Sequence, residues 1–127
     1  MRIGSRIASV AATVALTAGA GLALATPAAA AGDCWYSDGK WWCNNVSGAP
    51  VYGTVGNGTG FQPDPDNVVG YMNTNPSWFD CRRKSFHYVG GPHPYRWELT
   101  VADNGELGFM KDTDIASETD PLPVCFQ

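Results

Sequence analysis

The sequence predicts a small all-β domain braced by two disulfides, and three observations predict it. Four cysteines lie downstream of an export leader in a chain of 127 residues. Two turn dipeptides, Asp38-Gly39 and Asn104-Gly105, sit between apolar runs. Beyond the leader, apolar residues come in short runs broken by Gly and Pro, with no helical period.

Residues 1–31 read as a secretory signal peptide. Arg2 and Arg6 supply the positive start, residues 7–25 carry no charge, Pro27 breaks the run, and Ala28-Ala29-Ala30-Ala31 offers small side chains for cleavage before Gly32. Such an Ala-rich leader has a bacterial look, and no other segment is long enough to span a bilayer. The expected destination is extracellular, with no membrane contact after cleavage.

Residues 32–48 form the expected N-terminal cysteine hairpin. Asp38-Gly39 suits a two-residue type I′ turn, because both residues accept positive φ. That turn pairs Ser37 with Lys40, Tyr36 with Trp41, Trp35 with Trp42, and Cys34 with Cys43. The cysteines then fall at a non-hydrogen-bonded position, where opposed Cα atoms come closest and a disulfide can form. Cys81–Cys125 follows by subtraction, and the even count fits an oxidising compartment.

Residues 49–127 carry the rest of the domain. Strands are expected at 49–52, 68–72 and 77–81, with a long loop over 53–67 and a polar, interrupted stretch over 82–96. The second hairpin is centred on Asn104-Gly105. A two-residue turn there pairs Leu99 with Met110, Thr100 with Phe109 and Glu98 with Lys111. It points Leu99, Val101 and Met110 inward and the charged pair outward. Residues 113–115 close with a short turn or strand. Five or six short strands with long loops make a small β-barrel or sandwich.

In this order the elements resemble the bacterial SH3-like domains of exported proteins. The carrying residues are Val51-Tyr52, Val68-Val69-Gly70-Tyr71-Met72, Trp97 with Val101, Asn104-Gly105, Gly108-Phe109-Met110 and Ile115. More narrowly, the chain is similar to the small secreted SH3-domain proteins of actinobacteria, which add an N-terminal cysteine hairpin and a C-terminal cysteine. The resemblance covers about residues 49–116 and implies an SH3-like barrel acting as a binding module. Cell-wall peptide or an extracellular protein is the implied partner. The 53–67 segment departs from the pattern, being rich in Pro and Asp where many relatives carry Arg-x-Gly-Pro.

Charge and motif content narrow the function classes. With Arg2 and Arg6 removed, six cations face twelve acids, a net charge of −6. Such a surface disfavours nucleic acid and anionic lipid. No Gly-x-Ser-x-Gly elbow is present, and cysteines held in disulfides cannot serve as nucleophiles, so catalysis is not expected. His87 and His93 share one loop without a suitably spaced third ligand, and no Cys-x-x-Cys occurs, so no metal or cofactor is expected. Asp64-Pro65-Asp66-Asn67 and Asp112-Thr113-Asp114 look superficially like calcium loops, but the first lacks the spacing, and Asp64 and Asp66 read as turn residues. Arg82-Arg83-Lys84 holds half of the six cations. A contact for an anionic partner competes with the simpler reading, a solvated loop that offsets nearby acids.

The candidate binding residues are aromatic. Both faces of the first hairpin carry rings, so either one meets solvent or the 53–67 loop folds over it and both are core. With the disulfide inward, Trp35 and Trp42 are exposed as a contact surface. Phe86, Tyr88 and Tyr95 form a second candidate on the 86–95 loop. A monomeric, non-catalytic binding module is the leading expectation. A small disulfide-stabilised inhibitor of an extracellular hydrolase is the alternative.

Overall fold

A computed structural model of the chain describes residues 31–56 and 60–126. The expected leader lies outside these residues except for Ala31, as do Asn57, Gly58, Thr59 and Gln127. Among the described residues no helix is long and apolar enough to cross a membrane. The fold is all-β: β1 (Trp35–Ser37), β2 (Lys40–Cys43), β3 (Ala49–Val55), β4 (Gln62–Met72), β5 (Ser77–Phe79), β6 (Cys81–Lys84), β7 (Arg96–Val101), β8 (Leu107–Lys111), then a 3-10 turn over Asp112–Asp114.

These strands form two antiparallel sheets, β1-β2-β5 and β4-β3-β8-β7-β6. The expected barrel is not closed, since each sheet keeps two outer strands. The chain changes sheets at Asp80: β5 pairs with β2, and β6 then pairs with β7. Both edges of the larger sheet are managed. β4 carries Pro63 and Pro65, which donate no ladder hydrogen bond. β6 is covered at Arg82 by the C-terminal tail, Arg82 N donating to Pro123 O at 2.8 Å and Cys125 N to Arg82 O at 2.9 Å.

The first hairpin has the expected register. Asp38 and Gly39 take φ of 54° and 79°, the left-handed pair a type I′ turn requires. The Cys34 and Cys43 Cα atoms lie 4.5 Å apart and are bridged; Cys81 and Cys125 form the second disulfide at 5.0 Å.

Two small cores form, one on each face of the larger sheet. Between the sheets, Cys34, Cys43 and Phe79 pack with Val51, Met72, Met110, Ile115 and Leu122. On the opposite face, Tyr52, Trp97, Leu99, Phe109 and Cys125 pack beneath Phe61 and Val89. The larger sheet is therefore covered on both sides. That removes the simple inward–outward alternation on which a hairpin prediction relies.

Three expectations are corrected. Residues 53–67 are not a long loop, because β4 begins at Gln62 and runs through both prolines as an edge strand with bulges in its pairing to β3. Asp64 and Asp66 thus lie in a strand. Within 82–96, Arg82-Arg83-Lys84 belongs to β6 rather than to a solvated loop.

The second hairpin is shifted by one residue. Trp97 pairs with Lys111, Glu98 with Met110, Leu99 with Phe109, and Val101 with Leu107. Its loop has three residues, Asp103-Asn104-Gly105, closed by Ala102 N donating to Glu106 O at 2.8 Å. Only Gly105 has positive φ, at 92°. This is a type I turn ending in a left-handed glycine. Glu98 is consequently buried at 0% exposure between the sheets. Leu99 and Met110 are both buried, but on opposite faces.

Candidate functional site

Aromatic side chains reach solvent on two surfaces. The first is the outer face of the smaller sheet, where Trp42 lies between Trp35 on β1 and Trp78 on β5 in one cross-strand row. The disulfide, Trp41 and Phe79 occupy the inner face. Trp35 is 39% exposed and Trp42 is half-buried, its Nε1 donating to Ser37 O at 3.0 Å. Lys40 Nζ stands 5.3 Å from the Trp78 ring centroid. Trp78 was absent from the sequence candidates, because the β2–β5 register has no short-range signal.

The second surface is the 85–96 loop between β6 and β7. Phe86 is 86% exposed, Tyr88 70% and Tyr95 42%. Tyr88 and Tyr95 pack edge to face with centroids 5.7 Å apart. The backbone beneath them is tied at several points. Ser85 N donates to Tyr95 O at 2.8 Å, Val89 N to Pro94 O at 2.7 Å, and Arg96 N to His93 O at 3.0 Å. Trp97 Nε1, rising from the core, donates to His87 O at 3.1 Å. The loop is thus a fixed support for outward rings.

Beside it opens a cleft of about 490 Å³ lined by Arg82, Arg83, Lys84, Pro92, His93, Pro94, Tyr95, Arg96 and Val124. Cross-strand pairing sets its charge. Lys84 is directly opposite Arg96, and Arg82, two residues away on β6, shares that face. Arg83 points the other way, lying over the Phe126 ring at 5.3 Å. With the Gln62 amide oxygen turned toward it, Arg83 also donates through Nη2 and Nε at 2.7 and 3.0 Å.

Acids of the C-terminal tail meet part of this charge. Arg96 Nη1 donates to Asp120 Oδ1 at 2.9 Å and to Thr119 Oγ1 at 3.0 Å, while His93 Nε2 lies 2.7 Å from Glu118 Oε2. The Arg96 hydrogen bond is the main cause of the lowered Asp120 carboxyl pKa; slight desolvation opposes it, and the charges of Arg96, His93 and Arg82 reinforce it. At Glu118, desolvation pushes upward, but the His93 hydrogen bond, the Asp120 backbone N–H and the His93 charge together bring the pKa below its ordinary value.

His93, Glu118 and Asp120 place one ligand atom each within 4.8 Å of one another. The cation already at that cluster is the Arg96 guanidinium, so the arrangement is an ion-pair network in its own right. His87, the other histidine, contributes its carbonyl to Trp97 instead.

Glu98 is a further perturbed group, as is Asp114, whose partial burial raises its pKa against the Lys111 charge. Neither Glu98 carboxyl oxygen is satisfied by a well-formed hydrogen bond, although the Asp112 and Thr119 side chains stand beside it. Burial pushes its pKa well above the ordinary value, and the Asp112 charge pushes the same way, only partly opposed by Arg96. Glu98 does not line the cleft, so its burial bears on stability rather than on a bound ligand.

No protein-family model, curated protein or solved structure matches the chain.

Proposed function

We propose that this protein is a secreted, non-catalytic binding domain that engages cell-wall peptide or an extracellular protein through its 85–96 loop. The observation that carries this reading is the combination of outward Phe86, Tyr88 and Tyr95 with a backbone fixed by the hydrogen bonds described above. An aromatic ring held in water on a rigid support loses little conformational freedom on binding, so the ordering cost that offsets its burial is small. Large exposed apolar side chains gathered at one place are a mark of interaction surfaces.

Two further features support the reading. Two disulfides suit an oxidising extracellular compartment. The residues from Val51 to Ile115 carry the resemblance to SH3-like binding modules. The Trp35–Trp42–Trp78 row is the competing candidate surface, and its partial burial favours the loop. A hydrolase-inhibitor reading is favoured by the same loop, whose rigid backbone suits insertion into another enzyme's cleft.

The test uses protein recovered from the medium of a producing bacterium. It is applied to purified peptidoglycan and, separately, to a panel of exported proteases and amylases. Retention on peptidoglycan supports a wall-directed binder, and inhibition supports the second reading. Failure in both, with failure to retain any extracellular protein, removes the proposal.

A further inference from the structure

We propose that the cleft beside the aromatic loop is a subsite for an acidic, extended polypeptide segment. This rests on the binding-domain reading and adds the chemistry of what is bound. The starting point is an unfavourable arrangement within the fold. Lys84 and Arg96 are directly opposed on antiparallel strands, and Arg82 stands on the same face. Like charges so placed repel, and a fold that needed only stability has no use for them. This occurs in a domain whose six cations face twelve acids, so four of the six cations are drawn to one short strand and its neighbour.

The repulsion is only partly relieved from within. Arg96 has Asp120 and, at 3.8 Å, Glu118. Arg82 donates Nε to Leu122 O at 2.8 Å, stands opposite Glu98 across the strands and adds its charge near Asp120, without a direct ion pair to either. Lys84 is exposed, and among the described residues it has no acidic partner within ion-pair distance. The tail thus shows what the cleft accepts: one wall already holds a carboxylate against Arg96, and the Lys84 side stands open for another.

The remaining lining defines the occupant. Pro92, Pro94, Tyr95 and Val124 are apolar and flank the cations. A ligand satisfying both must alternate carboxylates with apolar groups over a short length, as an acidic peptide does. A uniformly charged polymer would leave the apolar walls unmatched, and the acidic remainder of the surface would repel it. The volume of about 490 Å³ is enough for a few side chains.

Fluorescence anisotropy tests this with the protein recovered from medium and two labelled synthetic peptides. One carries Asp and Glu beside Phe and Pro; the other is its Asn and Gln counterpart. The acidic peptide is expected to bind about tenfold more tightly, with the gap narrowing as salt is raised. Lys84→Glu should weaken it by about tenfold, whereas Lys111→Glu, the same charge change on the opposite face of the larger sheet, should alter it by less than about twofold. Lys84→Glu should also keep or raise the melting temperature, because it places an acid opposite Arg96.

Equal losses from both lysine variants would reduce the effect to net charge and overturn the subsite. An oligogalacturonate that binds as tightly as the acidic peptide would overturn the polypeptide occupant. If the acidic peptide shows no preference while the protein is still retained on its partner through Phe86 and Tyr88, the subsite fails and the binding-domain reading stands. If the peptide binds as expected but no partner is retained or inhibited, the subsite stands and that reading fails.

Discussion

The two hairpins turn on similar dipeptides, Asp38-Gly39 and Asn104-Gly105, yet they turn differently. At the first, both residues have positive φ, and a two-residue loop sets the register. At the second, only Gly105 does, and the loop has three residues. The difference lies in what the turn side chains hold. No Asp38 side-chain hydrogen bond occurs among the described residues, so local backbone preference decides. Asp103 Oδ2 accepts from Asn73 N at 2.8 Å and Thr74 N at 3.1 Å, and Asn104 donates to Val69 O at 2.9 Å while accepting from Glu106 N at 3.1 Å. Those bonds tie the second turn to the strand end beside it and select the conformation that reaches. A turn dipeptide fixes a hairpin only where its side chains are free of tertiary partners.

The largest test of this contrast is Glu98→Lys. In the observed register it places a cation between the sheets, and the expected loss is about 3–5 kcal/mol by chemical denaturation. A loss within the range of an exposed ion pair, about 0.2–1 kcal/mol, would restore the two-residue turn.

The disulfides sharpen the same contrast. Removing Cys81–Cys125, whose cysteines are 44 residues apart, should cost about 4 kcal/mol, against about 3 kcal/mol for the nine-residue Cys34–Cys43 link. Paired Cys→Ser variants measured in urea would show equal losses if the short link stabilised its hairpin as much as the long one stabilises the whole domain.

At the turns themselves, Asp103→Ala should cost about 1–3 kcal/mol by stranding the Asn73 and Thr74 N–H groups. Asp38→Ala should cost about 1 kcal/mol, the strain of alanine at positive φ. The reverse ranking would mean that side-chain anchoring does not set the second turn.

A last contrast is in pH dependence. Glu98 has a folded pKa above its unfolded value, so its stability contribution is complete below the unfolded carboxylate range and is lost as pH rises toward the folded value. Glu98→Gln should therefore raise the melting temperature near neutrality, the gain vanishing near pH ~4. Glu118 and Asp120 act oppositely. Their lowered values give stability that is present above the unfolded carboxylate range and lost as pH falls through the folded values.

Much of the first hairpin was legible because its information is local: the turn pair, the aromatic alternation and the cysteine spacing lie within ten residues. The all-β class was legible for the same reason. The rest depends on partners far along the chain. Pro63 and Pro65 read as loop residues until β4 is known to be an edge. Arg82-Arg83-Lys84 reads as a solvated run until Arg96 is known to stand opposite Lys84. Glu98 reads as exposed until both faces of its sheet are known to be covered. Phe86, Tyr88 and Tyr95 were visible as aromatic islands, but nothing local announced the cleft beside them or Trp78 beside Trp42.

The central claim is that the 85–96 loop, rather than the tryptophan row, makes the contact. Two double variants compare them directly: Phe86→Ala with Tyr88→Ala, and Trp35→Ala with Trp42→Ala. Each is measured for retention on the partner that the wild-type protein binds and for melting temperature. The loop variant should lose retention and melt as the wild type does, since both rings stand in solvent. The tryptophan variant should melt lower, because Trp42 is half-buried, and should retain its partner at temperatures where it is folded. Loss of retention in the tryptophan variant at an unchanged melting temperature, with the loop variant still retained, would contradict the account.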